Sequence, residues 1–150
     1  MRAVLQKVAF AKVVIDNKDI VNIDKGIVAL VGLSSSDNED TFKYMLDKII
    51  NLRIFEDDNG KMNLSINDID GEVLFIPNFT IYADVRKGRR PSFTNGATIE
   101  EAKEIFEKLK EFSIKNYKDK IKFGIFQTDT KLTLLNDGPV TILVDSDKIF

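Results

Sequence analysis

The chain has 150 residues, with 22 Lys and Arg against 24 Asp and Glu, so its formal net charge is −2. It contains no Cys, His or Trp, which excludes disulfides, thiolate nucleophiles, haem and Cys/His zinc sites, and any Ser–His–Asp triad. With 43% hydrophobic residues and no linker or repeat, the sequence predicts one domain over residues 1–150.

The longest apolar stretch, residues 26–33, is too short to cross a bilayer. Arg2, Gln6 and Lys7 interrupt the apolar residues near Met1, so no signal peptide is recognisable. Together with the absence of Cys, these features predict a cytoplasmic protein with no membrane partner.

The first third of the chain predicts several strands and then a helix. Residues 3–8 alternate between apolar and polar, residues 13–15 and 20–23 flank a turn, and residues 27–33 resemble a buried strand. Residues 37–52 change to a helical period, with Ser36 or Asp37 available as the N-cap.

The remainder predicts a strand over residues 73–79, whose far end leaves the sheet or lies at an edge because of Pro77. Thr98 and Glu101 form a capping-box pattern at the start of a second helix. Three β-rich segments follow, at residues 121–126, 131–135 and 140–144. About eight strands and two helices without regular alternation predict an α+β fold with antiparallel sheets.

Two segments stand out chemically. The basic segment, defined as Arg86–Pro91, holds four cations in five residues, namely Arg86, Lys87, Arg89 and Arg90. Such a cluster either binds phosphates or forms a solvated loop. The sequence Asp57-Asp58-Asn59-Gly60 resembles part of a calcium loop, but it lacks the later Glu and therefore predicts a tight Asx turn.

The segment Asn136–Thr141 places a turn signal, Asn-Asp-Gly-Pro, inside a strand pattern. Structurally it predicts a β-turn or an edge kink. Functionally, Gly138 permits a close backbone approach to a ligand and Pro139 stiffens the main chain. On the residues alone, the structural interpretation is favoured.

The whole chain resembles the D-aminoacyl-tRNA deacylases. The resemblance rests on stretches spread from end to end: residues 1–8, 51–55, 60–65, 79–80, 82–84, 86–93 and 136–141. It implies antiparallel sheets that form a barrel-like core with two helices, and a homodimer. It also implies hydrolysis of the ester that joins a D-amino acid, or glycine mischarged on tRNA-Ala, to the terminal adenosine of tRNA, which is chiral proofreading in translation.

Two motifs form the active site in that family. The first, Ser-Gln-Phe-Thr, corresponds to Pro77–Thr80, which we call the first motif. The second, Asn-x-Gly-Pro-x-Thr, corresponds to Asn136–Thr141, which we call the second motif. In the family the Gly–Pro peptide is cis and enters the partner subunit's pocket, where it excludes an L side chain. We therefore expect a cis peptide between Gly138 and Pro139.

An aminoacyl ester is already activated, so its hydrolysis needs a positioned water and a stabilised oxyanion more than a strong base. We predict catalytic roles for Thr80, for the Phe79 backbone and for Asn78, with no cofactor and no metal. For aminoacyl-tRNA binding we predict Asn136 and Thr141. Further predicted substrate contacts are Lys7, Thr130 and the four cations of the basic segment.

Three departures from the family bear on activity. Pro77 and Asn78 replace Ser and Gln, Lys7 stands where an Arg usually holds the Gly–Pro loop, and Thr130 replaces an apolar Met. The alternatives to chiral proofreading are therefore a divergent deacylase that edits L-alanyl- or glycyl-tRNA, and a non-catalytic tRNA-binding paralogue.

Overall fold

The fold is organised around its first strand. The computed structural model describes residues 1–149. Strand β1 (Arg2–Ile15) pairs along one edge with β8 (Thr130–Asp145), and along the other with β2 (Asp19–Ile23) and β3 (Gly26–Gly32), always antiparallel. The strands predicted at residues 3–8 and 13–15 are therefore the two halves of β1.

Beyond β3 the sheet continues in parallel through β6 (Glu72–Pro77) and β7 (Ile121–Phe123). The crossovers that lead into β6 and β7 contain α1 (Glu39–Asn51) and α2 (Ile99–Tyr117), and connections of this length permit parallel pairing. The predicted α+β class, with a barrel-like core and two helices, is confirmed. The sheet is mixed rather than wholly antiparallel.

Strands β4 (Phe55–Glu56) and β5 (Met62–Leu64) form a separate two-stranded hairpin. The carboxylate of Asp57 accepts hydrogen bonds from the Asn59 and Lys61 N–H groups, at 2.9 and 3.1 Å. The predicted Asx turn is therefore confirmed. Its effect is to fix the hairpin that carries Glu56.

Both helices have side-chain caps. The predicted capping box of Thr98 and Glu101 is present at the start of α2. The prediction of Ser36 or Asp37 as the N-cap of α1 was wrong, because Asn38 accepts from the first helical N–H groups. Asp37 instead accepts from the Ser34 N–H, at 2.8 Å, so its carboxylate stabilises the preceding turn.

The sheet buries apolar side chains on both faces. One face packs against α1 and α2 around Phe42, Phe75 and Phe106. The other face encloses a smaller core that includes Val13 and Leu74. No helix in residues 1–149 combines the length and the apolar character needed to span a bilayer.

The segments predicted as strands at 131–135 and 140–144 are one continuous strand, β8. Its pairing with β1 moves from Gln6↔Thr141 to Val8↔Asn136, so the residues between Asn136 and Thr141 bulge opposite Lys7. Eight strands are predicted and eight are present, but they are not the same eight. Four predicted strands merge in pairs into β1 and β8, and β4 and β5 were not predicted.

Candidate active site

The first motif follows the end of β6. Pro77 is the last residue of that strand, as its lack of an N–H predicts, and residues 79–82 then form a 3-10 helix. Asn78 caps this helix: its Oδ1 accepts from the Thr80 N–H at 3.2 Å, and its own N–H donates to the Val31 carbonyl at 2.7 Å. Asn78 thus links the motif to the adjacent strand.

A buried aromatic ring anchors the same helix. Tyr82 is 5% exposed and packs against Gly32 on β3 and Gly96 beyond the basic segment. A Cβ at Gly32 would lie 2.9 Å from the Tyr82 ring, so only glycine leaves room for this packing. The guanidinium carbon of Arg2 lies 4.7 Å from the centre of the ring.

The hydrogen bonds define which groups of the motif remain available to a substrate. The Thr80 hydroxyl donates to Asn78 Oδ1 at 2.5 Å, so its oxygen acts towards other molecules only as an acceptor. The Thr80 N–H is also bonded to Asn78, which removes one of the two oxyanion donors suggested by the sequence. Among residues 1–149, the Phe79 N–H has no acceptor, as is usual for the first N–H of a helix.

A cavity of about 530 Å3 opens beside this motif. Pro77, Asn78 and Phe79 line one side of it, and Thr130 lies on another side. Its remaining wall is mainly apolar, from Val31, Leu33, Phe93, Ala97, Ile99, Ala102, Ile125 and Phe126. A largely apolar cavity with a few polar groups at one edge is the usual form of a small-ligand site.

The basic segment projects next to this cavity. The backbones of Asp84 and Ser92 are doubly hydrogen-bonded at 2.7 and 3.0 Å, which closes the segment as an exposed loop. Phe93 follows immediately and packs edge-on against Phe79, with the ring centres 5.3 Å apart. Cations predicted to bind phosphate are therefore connected directly to the cavity wall.

The four cations of the loop are not equivalent. Arg86 forms a two-point ion pair with Asp84, with Nε at 2.9 Å and a terminal nitrogen at 2.6 Å. This guanidinium holds the pKa of the Asp84 carboxyl far below its ordinary value, so the pair is charged at every working pH. Within residues 1–149, Lys87, Arg89 and Arg90 form no salt bridge.

The second motif is the bulge of β8. The Gly138–Pro139 peptide is cis, as expected, and Gly138 has φ of +131°. A Cβ at Gly138 would lie 2.7 Å from Cγ2 of Val140. Both the backbone angle and the lack of space therefore require glycine at this position.

Gln6, on β1, holds both ends of this bulge. Its Oε1 accepts from Asn136 Nδ2 at 2.5 Å and from the Thr141 hydroxyl at 2.8 Å. Asn136 in turn accepts from the Val140 N–H at 3.4 Å. Sequence reasoning missed Gln6, although it directly precedes Lys7. Asn136 and Thr141, which the sequence predicts to bind the substrate, both bond to Gln6, and their contact with the substrate stays a prediction.

Lys7 is 1% exposed and lies opposite the bulge. Its Nζ donates to both carboxylate oxygens of Glu56, at 2.8 and 2.9 Å, and lies 3.5 Å from an Asp137 oxygen. The Lys7 ammonium lowers the pKa of Glu56 from its ordinary value of 4.5, mainly through these hydrogen bonds. The structure therefore brings Lys7 to the Gly–Pro bulge, as the family's Arg predicts, and adds a carboxylate that the sequence did not indicate.

The two motifs do not meet within one chain. Thr130 lines the cavity, but no residue of the second motif does. Asn136 lies six residues further along the same strand, which corresponds to roughly 20 Å at the usual rise per residue. A single chain therefore holds the two halves of the predicted site in different places.

A second concave region lies between α1 and α2, with a volume of about 760 Å3. Five carboxylates line it against two lysines: Asp37, Glu39, Glu101, Glu104 and Glu111 against Lys108 and Lys115. This excess of negative charge disfavours a polyanionic ligand. The smaller apolar cavity is thus the candidate site. Among the side chains that the structure describes, no three carboxylates come close enough together to hold a metal ion.

Comparison with known proteins places the chain in a family. The family described as D-Tyr-tRNA(Tyr) deacylase matches residues 4–145. A D-aminoacyl-tRNA deacylase of Thermosipho africanus is 48% identical, and one of Thermoanaerobacter sp. is 52% identical, each over all 150 residues and the full length of both proteins.

Two solved structures share the fold. One, named c-Myc DNA Unwinding Element Binding Protein, is 34% identical, with a TM-score of 0.87 over 97% of this chain and 98% of its own. The other, described as a probable eukaryotic D-amino acid tRNA deacylase, is 16% identical, with a TM-score of 0.77 over 95% of this chain and 97% of its own, and supports the fold alone. On the match along nearly its whole length, the chain belongs to the D-Tyr-tRNA(Tyr) deacylase family.

Proposed function

We propose that this protein hydrolyses the ester bond between a D-amino acid and the terminal ribose of tRNA, and so acts as a D-aminoacyl-tRNA deacylase in chiral proofreading. Family membership along the full chain supports the activity. The structural feature that best supports this activity is an apolar cavity bordered by the first motif and joined directly to an exposed basic loop. An aminoacyl group and a polynucleotide end need these two surfaces side by side.

The chemistry follows from the available groups. Water adds to the ester carbonyl, and the Phe79 N–H donates to the oxyanion that develops. The Thr80 oxygen accepts a hydrogen bond from the attacking water, because its own proton is held by Asn78. As the ester C–O bond breaks, the ribose oxygen leaves with the proton that the attacking water loses, and the neighbouring ribose hydroxyl assists this transfer, as the family resemblance implies. Asn78 acts through Thr80 and is a positioning residue.

The active site is completed across a homodimer. Thr130 of β8 lines the cavity whereas no residue of the second motif does, so a second copy of the chain supplies that motif. Within the described part of the chain, strand β8 is an edge strand that pairs with β1 alone, and its exposed face carries Leu135 and Leu143. A long edge with exposed apolar side chains needs a partner to cover it.

The basic segment binds the tRNA backbone. Lys87, Arg89 and Arg90 are exposed and are not in salt bridges within residues 1–149, so their charges are available to phosphates. Arg86 contributes less, because Asp84 already neutralises it. Their closeness to Phe93 directs the 3′ end of the bound strand towards the cavity.

The second candidate is a deacylase that edits L-alanyl- or glycyl-tRNA, and the polar side chain of Thr130 in the cavity wall favours it. Thr130 bonds to the Thr128 hydroxyl at 3.2 Å and makes the cavity wall more polar than the family's Met. A non-catalytic tRNA-binding paralogue is the third candidate, because Pro77 lacks both the hydroxyl and the N–H of the family's Ser.

One experiment separates these candidates. The purified protein is incubated with D-tyrosyl-, L-tyrosyl-, L-alanyl- and glycyl-tRNA, and free amino acid is measured against time. Chiral proofreading predicts release of D-tyrosine and glycine, with both L-amino acids retained. Release of L-alanine would support the editing deacylase, and binding without any release would support the paralogue.

A further inference from the structure

Lys7 is the centre of a three-residue arrangement, which we call the lysine bridge: Glu56, Lys7 and Asp137. A primary ammonium buried to 1% exposure is costly unless its donors are satisfied. Glu56 accepts two of them, at 2.8 and 2.9 Å, and Asp137 lies in ion-pair range at 3.5 Å. The charge is therefore balanced by two carboxylates from two different elements.

The two carboxylates belong to different parts of the fold, so Lys7 connects those parts to each other. Glu56 belongs to the β4–β5 hairpin, which the Asx turn at Asp57 keeps in shape. Asp137 directly precedes Gly138, inside the bulge opposite Lys7. The ammonium thus connects a fixed hairpin to the residue from which the Gly138–Pro139 peptide begins.

Lysine alone is a weak positioning group, because its ammonium is a point charge that holds no particular direction. Two carboxylates, Glu56 on β4 and Asp137 on β8, supply that direction. Phe55 adds a third constraint, with its ring centre 6.0 Å from Nζ. The arrangement compensates for the missing guanidinium fork that this position has in the family.

We propose that Glu56 and Asp137, acting together through Lys7, are positioning residues that hold the Gly138–Pro139 turn in register and thereby set the discrimination between D- and L-aminoacyl substrates. This inference rests on the proposed function. It goes beyond the two motifs, since Glu56 lies in neither of them and Asp137 occupies the unspecified position of the second.

The test uses the full chain and the variants Glu56→Gln, Asp137→Asn and their combination. Each keeps the size of the side chain and removes its charge. We expect each single variant to lower the ratio of kcat/KM for D-tyrosyl- over L-tyrosyl-tRNA by about tenfold. The loss in this ratio for the double variant should be smaller than the product of the two single losses, because both carboxylates act through one ammonium.

The matched control is Asp70→Asn, which removes a carboxylate paired with Lys120 elsewhere on the surface. It should leave the D-over-L ratio unchanged. A merely structural role for Glu56 would lower the melting temperature or the active fraction, but not this ratio. Adding Lys7→Arg to Glu56→Gln should restore part of the ratio, because a guanidinium reaches Asp137 with two donors.

A second readout separates failure of this proposal from failure of the proposed function. Hydrogen exchange in the peptide covering residues 136–141 should increase in Glu56→Gln, whether or not the protein is active. If the wild type has no deacylase activity but Glu56→Gln still exchanges faster than the wild type in residues 136–141, the function is rejected and the bridge is supported. An unchanged D-over-L ratio, or unchanged exchange in residues 136–141, would overturn the bridge.

Discussion

The first and second motifs are held in place by different means. The polar side chains of the first motif bond to each other, since Asn78 binds Thr80 two residues away. Asn136 and Thr141 of the second motif both bond to Gln6, which lies 130 and 135 residues away along the chain. The first motif is thus a local cap next to a cavity, whereas the second is a strand bulge that depends on another strand.

Because of this difference, we expect substitutions in the two motifs to have different effects. A change in the first motif should affect the chemistry and leave the fold intact, because its hydrogen bonds are local and exposed. A change around the second motif should alter the shape of the bulge, and with it the selection of substrate.

Gly138→Ala should cause the largest loss. The new Cβ would lie 2.7 Å from the Val140 side chain at a φ that L residues rarely adopt, so the bulge has to move. A displacement of about 1 Å at a reacting centre costs on the order of 100-fold in rate, and we expect kcat/KM for D-tyrosyl-tRNA to fall by about that factor.

Gly60→Ala is the control for this change, because Gly60 also has a positive φ but has open space around its Cβ position. That variant should keep its activity. Equal losses in the two variants would mean that backbone strain anywhere in the chain, and not the bulge, reduces the rate.

Asn78→Ala should lower kcat by about 30-fold with little change in KM. It removes the acceptor of both the Thr80 N–H and the Thr80 hydroxyl, and two such bonds of about 1 kcal/mol each correspond to that factor. Asn38→Ala removes a comparable cap from α1 and should lower only the melting temperature. An unchanged kcat in Asn78→Ala would exclude a positioned Thr80 from the mechanism.

Gln6→Ala should reduce kcat/KM about tenfold and weaken the discrimination against L-tyrosyl-tRNA. It removes the one oxygen that accepts from both ends of the bulge. Gln6→Glu keeps such an oxygen and should retain most of the selectivity. If the two variants behaved alike, these hydrogen bonds would not position the second motif.

Replacing Arg89 and Arg90 by Ala should weaken tRNA binding and reduce the slope of log K against log salt by roughly one for each lost phosphate contact. The maximal rate at saturating tRNA should stay the same. Lys43→Ala with Lys48→Ala removes two cations from α1 and serves as the control. An unchanged slope would make the two arginines structural.

The smallest effect concerns pH. The pKa of Glu56 in the folded protein lies below its ordinary value of 4.5, because Lys7 favours the charged carboxylate. Its stabilising contribution is therefore complete above about pH 5 and is lost as the pH falls through the folded pKa. Lys25 and Asp137 are the other charges near this pair.

The measurement compares the melting temperatures of wild type and Glu56→Gln across this range. The difference between them should be present at about pH 7 and disappear in acid below the pKa of Glu56. A difference that persists unchanged in acid would mean that the carboxylate's charge does not stabilise the fold.

The same contrast explains what could be predicted from the sequence. The Asx turn at Asp57 and the capping box of Thr98 and Glu101 depend on neighbours within four residues, and both were predicted correctly. The parallel pairing of β6 depends on which strands become adjacent after the crossovers, and the local pattern contains no such information.

The residues of the site also fall into those that the sequence indicated and those that it did not. The family motifs indicated the residues of both halves and the cis peptide. Gln6 and Glu56 were missed because their roles arise only when β1, β4 and β8 come together. The bond of Asn136 and Thr141 to Gln6 could not be identified from sequence spacing, and their predicted contact with the substrate stays a prediction.

The central claim is that one active site uses the first motif of one protomer and the second motif of its partner. The most direct test is a mixed dimer of Asn78→Ala and Gly138→Ala chains, co-expressed with two affinity tags and purified by both. One of its two sites then combines two unaltered motifs, so we predict about half the wild-type activity per protomer from two nearly inactive parents. Activity no higher than the mean of the parents would contradict the shared site.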